Sequence, residues 1–316
     1  MSTEAAPFPK ESDARGAFVR QESRFRDRVT ADGSSGFPAV AGRYHLYVSL
    51  ACPWAHRAVI VRELKGLKDV IGMTVVDPIR TAEDGWRFFD EDPEPLHGWQ
   101  YLSEAYRLSD PSFDGRVTVP VLWDTEKDVI VNNESAEILE MLNSAFDELA
   151  GAPDLDLYPA ALRPEIDALN DTIYDTVNNG VYRSGFAASQ AAYEEAVVPL
   201  FATLDELEER LAGSRFLFGP GQTLADWRLF TTLLRFDPVY HGHFKCNLRK
   251  LAEYPNLFGY LRDLHQTPGV AATVDMDHIK RHYYATHRSI NPTGVVPLGP
   301  VQDLDAPHGR ESLGQD

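Results

Sequence analysis

Residues 43–57 read Arg43-Tyr44-His45-Leu46-Tyr47-Val48-Ser49-Leu50-Ala51-Cys52-Pro53-Trp54-Ala55-His56-Arg57. The β-branched and aromatic run Tyr44 to Leu50 reads as a strand. Pro53 suits the first position of a helix, where its missing N–H costs nothing, so Cys52 falls at the N-cap of a helix running to about Lys65. Gly66 closes that helix, and a second strand follows from Ile71 to Val76, which makes residues 44–76 a strand–helix–strand unit.

Working outward, residues 77–115 form a long aromatic and acidic insertion carrying Trp86, Phe88, Phe89, Trp99, Tyr101 and Tyr106. Val117 to Trp123 reads as a strand interrupted by Pro120, which implies a sheet edge or a cis bond at the start of a strand. Val129 to Val131 is the next strand, and Asn132-Asn133-Glu134-Ser135 caps a helix to about Leu142. The order β-α-β then β-β-α is the thioredoxin-like arrangement. From about Leu157 to Ala285 the pattern is helical: Val197, Leu200, Phe201, Leu204, Leu207 and Leu211 recur at three- and four-residue spacing. Thr223-x-x-Asp226 has the form of a capping box. The expected organisation is an N-terminal extension over 1–41, a thioredoxin-like domain over 42–150, a helical domain over 151–290 and a tail over 291–316. The first segment reads as an arm that its aromatics Phe8, Phe18, Phe25 and Phe37 either pin down or leave as a disordered tail. The acidic C-terminal tail reads as disordered.

Lys and Arg number 30 against 48 Asp and Glu, a net charge of −18. Such a surface repels phosphate backbones and anionic headgroups, so neither nucleic acid nor membrane is an expected partner. With 316 residues there is room for two domains. Two cysteines, Cys52 and Cys246, make no disulfide framework, and the N-terminus lacks a signal-peptide pattern. A cytoplasmic, reducing compartment is expected.

A thiol at a helix N-terminus faces unsatisfied N–H groups and the positive end of the dipole, which favour thiolate over thiol relative to the ordinary value of about 8.5. Cys52 is therefore the expected nucleophile. Three residues later, where dithiol oxidoreductases place a second cysteine, this chain has Ala55. A disulfide formed by Cys52 must then be attacked by an outside thiol, which in cytosol is chiefly glutathione. Val119-Pro120, if cis, presents the Val119 main chain beside the start of the Cys52 helix. Glu134-Ser135 supplies N–H groups, a hydroxyl and a carboxylate for a zwitterionic amino-acid end. Together they describe a tripeptide site.

These motifs, with Asn178-Asn179-Gly180-Val181-Tyr182-Arg183-Ser184-Gly185-Phe186, the Phe236-to-Asn247 run Phe-Asp-Pro-Val-Tyr-His-Gly-His-Phe-Lys-Cys-Asn, and His282-Tyr283-Tyr284, resemble the glutathionyl-hydroquinone reductases. That family is the omega-like Xi class of glutathione transferases, and the resemblance spans about residues 18–300. It implies a helical glutathione-transferase domain after the thioredoxin-like one, with glutathione as co-substrate and no permanently bound cofactor. It implies that Cys52 is the nucleophile and that Trp86, Arg116, Val117, Thr118, Val119, Glu134 and Ser135 hold glutathione, Trp99 competing with Trp86. It further implies that Tyr182 moves a proton near the quinol ring, that Tyr240 and Tyr283 hydrogen-bond near the sulfur, and that the chain is a homodimer.

On the residues alone, three tyrosines in the helical half fit a pocket for a flat aromatic, as core packing also would. His241, His243, His278 and His282 show no diagnostic third ligand, so no metal is expected. A Cys-His hydrolase using His56 fits poorly, since no orienting Asn or Asp is evident. The expected activity is reduction of glutathionyl-hydroquinones through a Cys52–glutathione mixed disulfide. A general thioltransferase or dehydroascorbate reductase, and a non-catalytic binding module, stand as alternatives.

Overall fold

The computed structural model describes residues 11–81 and 85–313. They fall into two compact units. A sheet unit comprises 21–156 and 272–286, and a helical unit comprises the chain up to Arg20, residues 157–271 and the chain from His287 onward.

In the sheet unit, β1 (Tyr44–Val48), β2 (Ile71–Val75), β3 (Val121–Asp124) and β4 (Val129–Asn132) lie in the order β2-β1-β3-β4. Strand β1 runs parallel to β2, with α1 (Pro53–Leu64) as the crossover, and antiparallel to β3, which pairs with β4. This is the expected thioredoxin-like order. All of β1 is buried, as befits a strand covered on both faces. Gly72 is required opposite His45, because a Cβ there would fall 2.4 Å from the His45 Nδ1. Beyond α1, Gly66 takes a φ of +65° as the helix stop predicts. The buried Lys65 ammonium is satisfied by Asp147 at 2.7 Å and the Leu155 carbonyl at 2.8 Å, as a desolvated charge demands.

Differences from the sequence reading cluster in this unit. The strand expected from Val117 starts only at Val121; Pro120 has no N–H for the ladder, and the Val119–Pro120 peptide is cis. The 77–115 insertion contains a helix, α2 (Ser103–Ser109). Its preceding loop is organised by the nearly buried carboxylate of Glu94, which accepts from the Tyr47 hydroxyl and from the N–H groups of Leu96, His97 and Gly98. Burial pushes the Glu94 carboxyl up, but those hydrogen bonds outweigh it and hold it below the usual range. The N-terminal arm is packed, with Phe18, Val29 and Phe37 all buried, while Phe8 lies outside the described residues. Helix α3 (Ser135–Ser144) follows β4 and packs on α1.

The helical unit contains α4 (Arg163–Ile173), α5 (Gly180–Gly185), α6 (Gln190–Ala212), α7 (Leu224–Arg235) and α8 (Pro255–His265). The stripe Val197, Leu200, Phe201, Leu204, Leu207 and Leu211 is buried, as its spacing predicts. At the start of α7 the Thr223 N–H donates to Asp226 at 2.7 Å. That buried carboxyl, pushed upward by burial, also accepts from the Leu217 N–H and the Tyr260 hydroxyl. Two wide turns with i to i+5 bonding interrupt this unit, Tyr174–Asn178 and Phe236–Tyr240. The tail is not disordered over the described residues. The buried Arg310 donates to the carbonyls of Leu211, Ser214, Arg215 and Asn256, covering orphan acceptors at the end of α6.

Helix α9 (Met276–Arg281) and the wide turn His282–Thr286 that extends it belong to the sheet unit rather than to the helical run preceding them. The reason is specific contact. Thr273 Oγ1 lies 2.8 Å from His56 Nε2 on α1, and His282 Nδ1 lies 2.6 Å from the Pro78 carbonyl. Among the described residues, no helix is long and apolar enough to cross a membrane.

Candidate functional site

Cys52 is the N-cap of α1, in extended conformation (φ −79°, ψ 122°), with Pro53 at the first helical position. Its side chain is half-buried, and the thiol donates to the Val119 carbonyl at 3.6 Å. Helix α1 and its dipole thus start at a sulfur that solvent can reach. One turn further, the buried Arg57 guanidinium lies 4.5 Å over the Trp54 ring and donates to Ser135 Oγ at 3.3 Å, tying α1 to the first residue of α3.

The start of α3 is built by side chains. Asn132 Oδ1 accepts from the Glu134 N–H at 2.7 Å, and one Glu134 oxygen caps the helix at the Ala136 N–H while the other accepts from Ser23 Oγ at 2.9 Å. Asn133 Nδ2 donates to the Tyr106 hydroxyl and to Thr118 Oγ1, and Tyr106 donates to the Thr118 carbonyl at 2.8 Å. The Arg116 N–H is held by Gln21 Oε1 at 2.8 Å. The segment 116–119 and the helix start at 134–135 are therefore fixed to each other through Tyr106 and to the N-terminal arm through Gln21 and Ser23. Tyr106 is wholly buried, and burial raises its phenol, which suits a neutral hydrogen-bonding hub.

Trp86 and Trp99 sit in different surroundings. Trp99 is locked against the sheet, stacked on His97 at 4.1 Å and edge-on to Trp123 at 5.2 Å. Trp86 stacks on His282 at 5.1 Å, its carbonyl accepts from the Leu102 N–H, and the adjacent Gly85 lies against Val117. Tyr283, next to His282, is buried in this same sheet unit.

In the helical unit, Tyr182 on α5 and Tyr240 at the end of a wide turn lie 6.0 Å apart, ring centroid to centroid. Phe244 joins both at 5.5 Å, Phe186 packs on Phe244 at 5.1 Å, and His287 packs on Phe186 at 5.1 Å. His243 and His287 face each other at 3.2 Å. Burial lowers His243 to about 4, and burial raises the Cys246 thiol to about 12.

A thiol at the start of α1, beside a carbonyl and a second helix start on a four-stranded sheet, with helices following, has clear counterparts among known proteins. Residues 51–145 match the family model "Glutathione S-transferase, N-terminal domain" and residues 190–263 match "Glutathione S-transferase, C-terminal domain". The chain is 54% identical to the glutathionyl-hydroquinone reductase YqjG of Escherichia coli K12 over 94% of its length and 93% of that protein. Against the glutathione-bound structure of YqjG the TM-score is 0.89, covering 92% of this chain and 96% of that one. Glutathionyl-hydroquinone reductase PcpF of Sphingobium chlorophenolicum is 52% identical over 92% of this chain and 91% of that protein. The Xi glutathione transferase of Phanerochaete chrysosporium is 50% identical with a TM-score of 0.88, covering 92% and 95%. This chain belongs to the Xi class of glutathione transferases.

In this Xi-class chain the sheet unit holds Cys52, Trp86, Arg116 to Val119, Glu134, Ser135 and Tyr283, whereas Tyr182 and Tyr240 belong to the helical unit. Sequence reasoning missed Arg57, Tyr106, His282 and the arm residues Gln21 and Ser23. Only Arg57 had a local signal, since one turn of helix separates it from Pro53; the others are joined to the site across long stretches of chain. The histidines weighed as metal ligands have other partners: His278 faces Asp275 at 3.7 Å, and His282 bonds the Pro78 carbonyl. Among the described residues no group of three or more His, Cys, Asp or Glu is arranged to hold a metal ion.

Proposed function

We propose that this chain reduces glutathionyl-hydroquinones to hydroquinones, with glutathione as co-substrate and no permanently bound cofactor. The observation that carries the reading is a half-buried thiol at the start of α1 with alanine at position 55, in a chain more than half identical to two glutathionyl-hydroquinone reductases. The Cys52 thiolate attacks the glutathionyl sulfur. The sulfur–carbon bond breaks with its electron pair on the ring carbon, which takes a proton from Tyr182, and hydroquinone leaves. A second glutathione thiolate then attacks the Cys52–glutathione disulfide, releasing oxidised glutathione and the Cys52 thiolate, while the proton of that glutathione restores Tyr182.

Trp86, Arg116, Val117, Thr118, Val119, Glu134 and Ser135 are assigned to glutathione. The main chain of 116–119 and the N-terminus of α3 suit a peptide and its anionic γ-glutamyl end. Tyr240 and Tyr283 are assigned hydrogen bonds near the reacting sulfur. The chain is assigned to the cytoplasm, where glutathione is reduced, and to a homodimeric state. Steady-state turnover of a panel of glutathionyl-hydroquinones by wild type and Cys52→Ser tests the reading. Hydroquinone release by wild type alone, with a glutathione adduct on Cys52 in a rapid quench, is expected; equal release by Cys52→Ser refutes it. A mixed disulfide turned over far faster than any glutathionyl-hydroquinone would make the chain a general thioltransferase instead.

A further inference from the structure

The N-terminal arm places a cation over one of the tyrosines. The Arg20 guanidinium carbon lies 4.9 Å from the centre of the Tyr182 ring and 5.5 Å from that of Phe18. Its Nε donates to Asn179 Oδ1 at 2.9 Å, and Asn179 is the residue from which α5 starts, its own N–H closing the preceding wide turn on the Tyr174 carbonyl at 2.8 Å. Phe18 is buried and packs on Phe186 at 5.4 Å. The guanidinium is thus held from three sides by side chains that are themselves fixed. Also near Tyr182 are Arg183 on its own helix, facing Asp175 at 3.3 Å, and Tyr240, Phe186 and Phe244, with His243 and His287 behind Phe244.

We propose that Arg20 is a positioning residue for the proton transfer, stabilising the phenolate that Tyr182 becomes when it protonates the departing ring carbon. The inference rests on the reading of Tyr182 as proton donor. In that step the Tyr182 O–H bond breaks, a C–H bond forms on the hydroquinone, and a negative charge is left on the phenol oxygen and its ring until the second glutathione supplies a proton. A guanidinium remains charged across the working pH range and is attracted to the ring face even before ionisation. It is attracted more strongly to the phenolate, so it favours the charge-separated transition state over the ground state. This gives the arm a chemical role at the leaving aromatic in addition to its hold, through Gln21 and Ser23, on the segments assigned to glutathione.

The test compares Arg20→Met, Arg20→Gln and Arg20→Lys, with near-ultraviolet circular dichroism confirming that each is folded. Arg20→Met and Arg20→Gln lower the rate of hydroquinone release by about 3- to 30-fold, leave KM for glutathione unchanged and move the basic limb of the kcat profile to higher pH. Arg20→Lys retains most of the rate. In a Tyr182→Phe background the Arg20 changes add nothing. An unmoved basic limb, or equal losses with and without the Tyr182 hydroxyl, overturns the proposal. A readout without substrate separates this failure from that of the function itself. The ultraviolet difference titration between each Arg20 form and its Tyr182→Phe partner follows Tyr182 ionisation, which shifts upward when the Arg20 charge is lost; no shift refutes the role of Arg20. A shift in an enzyme that turns over no glutathionyl-hydroquinone refutes the proposed reaction while leaving the Arg20 effect in place.

Discussion

Cys52 and Cys246 set two regions of the molecule side by side. At Cys52 the sulfur stands before the first turn of α1, half-buried, 3.6 Å from the Val119 carbonyl. At Cys246 the sulfur is wholly buried beyond the wide turn that ends at Tyr240, 3.8 Å from the Phe244 carbonyl and 4.0 Å from that of Val181. Burial disfavours the ionised sulfur in the second environment and raises this thiol to about 12. In the first, the sulfur stands half-buried at the start of α1, at the positive end of the helix dipole, a setting that favours thiolate. The same residue type therefore stands at an accessible helix start in one unit, where the proposed reaction needs a thiolate, and as a small hydrophobic side chain in the other.

The comparison can be broken most sharply by exchange of each sulfur for oxygen. Cys52→Ser lowers kcat/KM for glutathionyl-hydroquinones by at least about a thousandfold, because oxygen forms no exchangeable disulfide, whereas Cys246→Ser leaves it within about twofold. Peptide mapping after iodoacetamide treatment at neutral pH measures the difference without turnover. Cys52 is labelled at least about a hundredfold faster than Cys246, and urea abolishes the ratio by exposing both. Equal labelling rates in the folded protein would remove the basis of the comparison.

Smaller effects sharpen it. Ser135→Ala removes the acceptor of Arg57 and one donor at the start of α3; KM for glutathione rises about 2- to 13-fold while the labelling rate of Cys52 is unchanged, which separates glutathione binding from thiol activation. A separate effect, read as stability rather than rate, is expected near Cys246. Burial holds the folded-state pKa of His243 near 4 against an ordinary 6.5, so between those values the unfolded chain binds a proton that the folded chain does not. Stability therefore rises with pH through this window and falls on acidification, by up to roughly 1.4 kcal/mol per pH unit for this one group. Urea midpoints measured from pH 7 to 4 give a shallower dependence for His243→Gln than for wild type.

The sheet unit was largely legible because its signals are local. The run Tyr44 to Leu50, Pro53 after Cys52, Gly66 and the cap around Glu134 each state their structure within a few residues, and the helical stripe of α6 does so by spacing. The 77–115 insertion was opaque because Glu94, which organises it, draws on Tyr47 in a distant strand and on loop N–H groups with no pattern of their own. The wide turns also escaped. Tyr240 and Tyr283 lie within such turns and Tyr182 lies in α5, which starts after the Tyr174–Asn178 turn and Asn179, yet no residue type marks where a helical turn takes up an extra residue. Arg310 read as part of a polar tail because the carbonyls it satisfies belong to α6 and its surroundings, roughly a hundred positions earlier.

The return of residues 272–286 to the sheet unit bears on how the protein is made. When residue 156 has been synthesised, the sheet, Cys52 and the start of α3 are all present, but Thr273 is not there to meet His56, nor His282 to cover Trp86. The whole of 157–271 must be translated first, which takes on the order of ten seconds. Until then the growing chain carries Cys52 without its finished surroundings, and a protein truncated after the first domain would remain in that state permanently.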